Sequence, residues 1–478
     1  APGSGSSGVV ERLWRRWPAS VLIGACLAIG ALSLLVPTAL GFDPAAWVVW
    51  GREVAAFDLD TSAEPSWKPL PVLVTTVGSI TGEASPAIWM VIGRAAGLLL
   101  VVGVFSLARR FAGVPAGVVA VAALVLTPDG EPRLIRTIVE AHSAPLDAAL
   151  AVWALERHLA GHRGLPFVLL LGLSLSRPEA WPFLLVYAAW IAWRHPSMRP
   201  AIAVGLVAVP VLWFGGDWWG SGDPLSGAGA AQDDSDSAAE RFSEALGTAW
   251  DTVVFPVWAA AAFALVAAVR RRERVVDREV IAAAALAVAW CCIVVGMATV
   301  LGYAALSRFL LPAAALVCVL AGVGVARLVA VLAEGQRASV VVAVALGVVA
   351  VVAVSVGQLW NRVTGLEDVV SEIRARAFLS EDLPDVIDAA GGKETVLACG
   401  TVAVQGLTLL LPSVAWELDV PISELRTTPE EGPAVWFIIA NGRVETELLA
   451  SDESVRTLAR SAVWAVHAVD CDEPAVPD

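Results

Sequence analysis

The stretch ASVLIGACLAIGALSLLVPTAL, residues 19–40, contains no charged residue and is long enough to cross a lipid bilayer as a helix. The rest of the chain has the same character. Of its 478 residues, 57% are hydrophobic and only 16% are charged, and the mean hydropathy is +0.72. Soluble globular chains carry about 25% charged residues. The sequence therefore predicts a mainly α-helical, polytopic transmembrane bundle.

Eleven apolar segments are interpreted as membrane spans, although two of them, 113–128 and 165–176, are short for a full crossing. The segments lie at about 19–40, 86–107, 113–128, 145–160, 165–176, 178–193, 201–215, 252–269, 280–303, 309–329 and 338–359. A single helix over 165–193 would bury Arg177, Pro178 and Glu179 in its middle. We therefore predict a hairpin there, with the sequence SRPE at its tip.

The positions of the arginines predict the orientation, because cytoplasmic connections carry an excess of Lys and Arg. With the N-terminus in the cytoplasm, every cytoplasmic connection holds arginines and the opposite connections hold few. The arginines concerned are Arg109, Arg110, Arg157, Arg163, Arg194, Arg199, Arg270, Arg271, Arg272, Arg274, Arg278, Arg327 and Arg337. We expect a multi-pass protein of the inner (plasma) membrane. Residues 1–18 are assigned to a disordered tail and cytoplasmic N-terminus, and a cleaved signal peptide is the alternative for the first apolar run.

The character of the chain changes after the transmembrane domain, which we assign to residues 19–360. Residues 361–478 hold 21 acidic and 8 basic residues, so most of the net charge of −14 lies there. The runs KETVLAC, SVAWELDV, AVWFIIAN and AVWAVHAVDC predict strands, and VVSEIRARAFL, LPDVIDAA and SVRTLARSA predict helices. We expect a small extracytoplasmic α/β domain in which Cys399 and Cys471 form a disulfide, with two free thiols as the alternative.

The loop that follows the first span holds the first candidate functional residues. Asp43 is followed by the Trp-rich stretch AAWVVWGREVAAF, which is typical of a helix lying at the membrane interface. The motif Trp67-Lys68-Pro69 comes next. Only two of the 32 basic residues are lysines, Lys68 and Lys393, so a lysine at this place suggests contact with a phosphate. The alternative is an interfacial lysine whose ammonium extends to water.

Other ionisable residues lie at a similar depth on the same side of the predicted bundle. Such residues are costly near a membrane and are either functional or paired internally. They are Arg94, Arg133, Arg136, Glu140, His142, Asp147, Arg177, Glu179 and Arg308.

Five features follow one another along the chain: Asp43 after the first span, WKPLP, SAPLDAALAVWALERHL, DWWGSGDPLSGAGAAQ and SRFLLPAAAL. Taken in this order, they resemble the GT-C superfamily of membrane glycosyltransferases. The pattern is most similar to protein O-mannosyltransferases and lipid A aminoarabinose transferases, and it covers most of residues 19–330. The chain departs from the family in two places. The second proline of the Lys-Pro-Pro-Leu-type motif is displaced by one position, and Pro44 stands where the family often has an acid.

The resemblance implies a glycosyltransferase that moves a sugar from a polyprenyl-phosphate donor to an extracytoplasmic glycan, lipid or protein, with inversion at the sugar. It also implies roles for individual residues. Asp43 and Asp147 are the catalytic candidates. Lys68, Arg308 and Arg94 are expected to bind the donor phosphate. The expected substrate-binding residues are His142, Glu140, Arg177, Glu179 and Trp67. A second acid beside Asp43 would come from Glu53, Asp58 or Asp60.

The partners and cofactors follow from the same analysis. We expect membrane lipids as partners and no nucleic acid, because a strongly basic surface is missing from the sequence. No cofactor is required, and Asp58-Leu59-Asp60 supports a divalent metal only weakly. The C-terminal domain is expected to guide the acceptor rather than catalyse, because its sequence shows no Gly-rich phosphate loop, metal-ligand cluster or nucleophile motif. Its net negative charge would repel a polyanion, so a neutral glycan or a protein acceptor fits better. A transporter or flippase is the main alternative function, and a structural anchor is the third.

Overall fold

The computed structural model describes residues 19–126, 134–232, 237–333, 353, 356–357, 360–361, 364–428, 432–450 and 454–471. The helices, numbered in chain order, are α1 Ala19–Leu32, α2 Phe42–Ala56, α3 Pro69–Ser79, α4 Ser85–Leu126, α5 Leu134–Val139, α6 Ser143–Leu159, α7 Gly164–Ser174, α8 Trp181–Arg194, α9 Arg199–Ser221, α10 Ser226–Gly229, α11 Ala238–Asp251, α12 Phe255–Arg270, α13 Val275–Leu301, α14 Leu311–Ala333, α15 Leu366–Ala389, α16 Gly392–Leu397, α17 Leu411–Leu418 and α18 Arg443–Leu449. The strands are β1 Thr401–Val404, β2 Leu425–Arg426, β3 Ala434–Ile439, β4 Val455–Arg460 and β5 Trp464–Val469.

The predicted helical bundle with a small C-terminal α/β domain is confirmed. Each of the first ten predicted spans contains a helix, and the eleventh, 338–359, falls almost entirely outside the described residues. Within the described ranges, four helices can each cross a bilayer by length and composition: Gly82–Val125, Pro196–Ser221, Val275–Leu301 and Ser307–Ala333. The pair α11 and α12, bent by 84°, would make a fifth. The total of eleven spans stays a prediction.

Two breaks in the helices match the sequence analysis. Helix α4 leaves helical geometry at Ala112 and Gly113, and the chain turns back, so that a Cβ on Gly117 would lie 2.7 Å from the ring of Phe105. The predicted spans 86–107 and 113–128 are therefore the two arms of a hairpin. The predicted break within 165–193 is also present, because a short 3-10 turn at Pro178–Ala180 separates α7 from α8.

Helix α14 forms the centre of the bundle. Its residues from Leu311 to Gly324 are all buried. Small residues let its neighbours approach its backbone closely. A Cβ on Gly322 would lie 2.2 Å from the carbonyl oxygen of Ala116 in α4, and one on Gly324 would lie 1.9 Å from that of Ala260 in α12. Close approach at small residues is the usual basis of helix packing within membranes.

The C-terminal domain is a five-stranded mixed sheet with the order β2-β1-β3-β5-β4. Strand β1 is parallel to β2 and to β3, and β5 is antiparallel to β3 and to β4. One face of the sheet buries Val435, Phe437 and Trp464 in the same apolar cluster as α15 and α17. Helix α17 in turn packs against α2, so the sheet and the helical bundle share one apolar core. The predicted bridge is present, since a disulfide joins Cys399 to Cys471.

Polar contacts also attach this domain to the bundle. Arg52 of α2 donates to the carbonyl oxygens of Trp416 and Val420 at 3.2 and 3.0 Å, and it pairs with Asp419 at 2.6 Å. The hydroxyl of Ser423 donates to the Asp60 carboxylate. These contacts place the domain directly over the loop that carries Asp43 and Lys68.

Three predicted elements of this domain are wrong. KETVLAC and SVAWELDV are mainly helical, in α16 and α17, and SVRTLARSA contains strand β4. In α17 the buried positions are Leu411, Val414, Ala415 and Leu418, which is a helical spacing. Strand β4 has only one fully buried residue, Ala459, and is held by its pairing with β5. Tertiary pairing rather than local propensity decided its structure.

We expect a membrane-impermeant maleimide to label Cys399 and Cys471 on intact cells only after a reductant has been added. The reason is that the arginine distribution puts the domain outside, where the disulfide protects both thiols. Peptide mass spectrometry would separate these two sites from the other cysteines, which are Cys26, Cys291, Cys292 and Cys318. Labelling that requires permeabilised cells would contradict the orientation, and labelling without reductant would contradict the bridge.

Candidate active site

Asp43 lies in the first turn of α2, where the chain leaves the first apolar helix. Its side chain is buried. The chain just before Asp43 is anchored, because the backbone N–H of Gly41 donates to the Glu140 carbonyl oxygen at 3.0 Å. A Cβ on Gly41 would lie 2.4 Å from Nε2 of His142, so only glycine lets the imidazole pack there. This close approach brings His142 next to Asp43.

Lys68 reaches Asp43 from the end of the same loop. Pro69 begins α3, so Lys68 is held in extended backbone just before the helix. Its Nζ lies 3.7 Å from Oδ2 of Asp43 and 5.0 Å from the centre of the Trp47 ring. The lysine is therefore buried, in contact with a carboxylate and an aromatic face.

Arg308 contacts the same oxygen of Asp43, although it comes from the other end of the membrane domain in the sequence. It lies on the short turn Ser307–Leu310 that begins the central helix α14. Its Nη2 is 3.4 Å from Oδ2 of Asp43. One carboxylate oxygen thus faces two cations that come from distant parts of the sequence.

These charges control the ionisation of the cluster. Burial acts to raise the pKa of the Asp43 carboxyl, but the positive charges of Arg308 and Lys68 outweigh it and hold the pKa at about 2. Burial, followed by repulsion from Arg177, lowers the pKa of the Lys68 ammonium to about 8. At neutral pH the site therefore holds an ionised carboxylate and a lysine close to its titration range.

A second ion pair lies behind this cluster. Nε of Arg177 donates to Oδ2 of Asp147 at 2.7 Å, and both side chains are buried. The Arg177 guanidinium also stacks on Phe309, 4.3 Å from the ring centre. Glu179 is fully buried, and neither of its carboxyl oxygens has a hydrogen-bond partner within the described part of the chain. The geometry favours a supporting role for Asp147 over the catalytic role predicted from the sequence.

Arg94 and Trp67 do not belong to the cluster. Arg94 donates to the Val139 carbonyl oxygen at 3.0 and 2.9 Å and to the hydroxyl of Ser33 at 2.8 Å. It therefore joins α4 to α5 and to the turn Ser33–Leu35 after α1 instead of facing a ligand, and the phosphate contact predicted for it is not supported. The indole of Trp67 donates to the Leu212 carbonyl oxygen at 3.0 Å and packs against α9.

A cavity of about 1030 Å³ opens beside Asp43. Its polar part includes five of the predicted site residues, Asp43, Lys68, Arg308, His142 and Glu140. The other walls are apolar and come from helices α8, α9 and α13. The residues of these walls include Trp181, Pro182, Leu185, Trp213, Phe214, Ile293, Met297 and Leu301. The cavity therefore suits an amphiphile with an anionic head and an apolar tail.

Among the cavity residues that sequence reasoning missed are Tyr303, Asp217 and Arg376. Tyr303 carried a weak signal, because the chain has only two tyrosines. Asp217 accepts from the backbone N–H of Gly227 at 3.1 Å and so holds the segment around α10 against the cavity. Arg376 belongs to α15 of the C-terminal domain, and nothing in its local sequence distinguishes it from other arginines.

The Asp58-Leu59-Asp60 string does not form a metal centre in the described structure. Asp60 accepts from the backbone N–H and hydroxyl of Ser62 at 2.8 and 2.5 Å and also from Ser423. Across the described ranges, no three His, Cys, Asp or Glu side chains are grouped as metal ligands would be. Glu53 accepts from the Asp60 N–H at 3.0 Å and lies outside the cavity wall. None of the three acids proposed as a partner for Asp43 lines the cavity.

We expect Asp147→Ala to lower the free energy of unfolding by about 3–5 kcal/mol, because it leaves the buried Arg177 without its counter-ion. Thermal unfolding in detergent would measure the effect. Glu279→Ala is the matched control, since it breaks the more exposed pair with Arg110 (3.0 Å) and should cost below about 1 kcal/mol. Equal losses in the two variants would contradict a supporting role for Asp147.

The fold that holds this site is also found in a protein of known structure. The sequence matches no protein-family model and no curated protein. Among solved structures, the chain is similar to ArnT from Cupriavidus metallidurans bound to undecaprenyl phosphate, with a TM-score of 0.57 and 16% identity over 96% of this chain and 99% of that chain. The apo state of the same ArnT gives a TM-score of 0.50 and 18% identity over 94% and 97%. The predicted resemblance to GT-C membrane glycosyltransferases is therefore confirmed at the level of the fold, and the chain is a multi-pass membrane protein of that architecture.

Proposed function

We propose that this protein is a glycosyltransferase that transfers a sugar from a polyprenyl-phosphate donor to an acceptor outside the cytoplasm, with inversion at the sugar. One observation carries the proposal. Asp43 meets two cations, Lys68 and Arg308, at the polar end of a cavity whose remaining walls are apolar membrane helices. The arrangement combines a base, a phosphate site and access for a lipid.

The donor class is supported by the two ends of the cavity. A polyprenyl chain would lie against the apolar residues of α8, α9 and α13, and its phosphate would reach Lys68 and Arg308. Charge-assisted hydrogen bonds of this kind are among the stronger polar contacts in proteins. The ArnT structure with the same fold holds undecaprenyl phosphate. The likeness in fold and the polarity of the cavity point to the same kind of ligand.

The proposed reaction is a single displacement at the anomeric carbon. The acceptor oxygen attacks from the face opposite the phosphate, the bond from carbon to phosphate oxygen breaks, and polyprenyl phosphate leaves with the bonding electrons. Asp43 takes the proton of the acceptor hydroxyl. Lys68 and Arg308 stabilise the charge that develops on the leaving phosphate. Since the phosphate would draw these cations towards itself, their hold on Asp43 would weaken and its basicity would rise.

The proposed site needs no resident metal for this chemistry. Lys68 and Arg308 supply the positive charge that a divalent cation would otherwise bring to the phosphate.

We place the C-terminal domain outside the cytoplasm and assign it to acceptor binding. Residues 361–478 carry 21 acidic and 8 basic residues, so a neutral glycan or a protein fits this domain better than a polyanion. Its residues Arg376 and Leu409 reach the cavity wall.

We expect Asp43→Asn to lower turnover by about 10² or more, because an amide cannot accept the hydroxyl proton. Binding of the donor should persist, since both phosphate-binding cations remain. The measurement is consumption of polyprenyl-phosphate sugar by the purified protein in liposomes, followed by mass spectrometry.

Asp58→Asn is the matched control for that experiment, because Asp58 does not line the cavity and should be replaceable. Near-normal turnover in Asp43→Asn would exclude Asp43 as the base. Movement of the lipid across the bilayer without consumption of the sugar would instead support a flippase.

We expect donor affinity to decline as the pH rises above about 8, by at most about tenfold per unit. The sign follows from the pKa of Lys68. A lysine whose pKa is lowered to about 8 carries its charge below that pH and loses it above, so the phosphate loses one partner. Binding of a polyprenyl-phosphate sugar, whose phosphodiester does not titrate in this range, would be measured in detergent between pH 6 and pH 9.5.

The variant Lys68→Arg provides the comparison, because a guanidinium stays charged over that range. Its affinity is expected to be lower than that of the wild type at pH 7 but nearly independent of pH. The same decline above pH 8 in both proteins would mean that another group titrates.

A further inference from the structure

Glu140 contacts basic side chains from both the helical bundle and the C-terminal domain. Its side chain is buried, next to α5, and three basic groups contact it. Nε of Arg136 donates to Oε1 at 3.1 Å, and Nη1 of Arg376 donates to Oε2 at 2.8 Å. Nε2 of His142 lies 3.3 Å from the same Oε2. Arg376 is the only one of the three that comes from the C-terminal domain.

His142 links this network to the proposed base. The imidazole packs on Gly41, two residues before Asp43, and it lines the cavity together with Asp43. Its Nε2 is occupied by Glu140, whereas its Nδ1 is buried and has no hydrogen-bond partner within the described residues. A buried nitrogen without a partner is unfavourable unless a ligand or water satisfies it. The imidazole is thus held by Glu140 at Nε2, and its Nδ1 is available to a ligand or a water.

We propose that Arg376 is a positioning residue of the active site, which holds His142 beside Asp43 by fixing the Glu140 carboxylate. This inference rests on the proposed function for its substrate, since the available nitrogen of His142 would contact a hydroxyl of the bound sugar or acceptor. The C-terminal domain then completes the active site as well as binding the acceptor.

One oxygen of Glu140 couples Arg376 to His142. Oε2 of Glu140 receives both Arg376 and His142, so the position of the carboxylate sets the position of the imidazole. Without Arg376, Glu140 would be drawn towards Arg136 on its other oxygen, and the imidazole would lose its fixed partner. Displacement of a positioning group by about 1 Å can lower a catalytic rate by about 10²-fold.

Loss of Arg376 alone should not detach the domain. Arg136 also pairs with Glu372 of α15 at 2.8 Å, so a second link across this interface would remain. The contacts of Arg52 and the shared apolar core lie elsewhere in the interface. The role of Arg376 in positioning can therefore be separated from its role in docking.

The test compares Arg376→Ala, Arg376→Lys and the control Arg374→Ala, which removes an exposed arginine two residues away on the same helix. Transfer from a polyprenyl-phosphate sugar is measured with the full-length protein in liposomes, together with donor affinity. We expect Arg376→Ala to lower kcat by about 10-fold to 100-fold with donor affinity unchanged. Arg376→Lys should recover much of the rate, and Arg374→Ala should match the wild type.

A second measurement does not depend on the reaction. Diethyl pyrocarbonate modifies accessible histidines, and peptide mass spectrometry gives the rate at each position. We expect His142 to react faster in Arg376→Ala than in the wild type, whereas His158, on α6, should not change. If Arg376→Ala does not fold, Arg376→Gln, which keeps a donor but loses the charge, replaces it in both measurements.

The outcomes separate the two proposals. If the wild type transfers no sugar from any polyprenyl-phosphate donor, the proposed function fails, while the reactivity of His142 still decides whether Arg376 positions it. Unchanged kcat, or unchanged reactivity of His142 in a folded Arg376→Ala protein, would overturn the inference. A parallel loss of donor affinity and thermal stability would also overturn it, because it would reveal a purely structural role.

Discussion

The burial of Asp43 with Lys68 and Arg308 is the arrangement on which the rest of the site depends. Removing charged groups from water costs several kcal/mol per ion, so the three charges can stay together only if their geometry is maintained. They come from α2, from the residue before α3, and from the turn before α14. The packing of Trp47 under Lys68 and of Phe309 beside Arg308 fixes these elements in place. The fold around the cavity is in this sense organised around one carboxylate.

The charged residues of the site form two layers, one that lines the cavity and one behind it. The front layer, with Asp43, Lys68 and Arg308, lines the cavity and is available to a ligand. The rear layer, with Asp147 and Arg177, is closed to it and has a hydrogen bond of 2.7 Å. The front contacts are longer, 3.4 and 3.7 Å, and more easily exchanged for contacts with a phosphate. The short contact between Arg177 and Asp147 keeps the site rigid. The longer contacts of Asp43 leave Lys68 and Arg308 able to accept an anion.

The sequence predicted the membrane bundle, its hairpin at 165–193, the C-terminal domain and five of the cavity residues. These features follow from long apolar runs and from charges next to them, which are local signals. The helix α17 was predicted as a strand because short apolar runs fit both periods. Arg94 and Arg376 show the remaining difficulty. Both are arginines in helices, and only the three-dimensional neighbours, Val139 for one and Glu140 for the other, determine which of them reaches the cavity.

The contact between Glu140 and Arg376 joins residues that are 236 positions apart in the chain. At a synthesis rate of about 5–20 residues per second, Glu140 is inserted roughly 10–50 s before its partner exists. During that interval Arg136, four residues away in the sequence, is already present and can pair with Glu140 at 3.1 Å. The contact with Arg376 of α15, and with it the complete network around Glu140, forms only after the intervening membrane helices have been made.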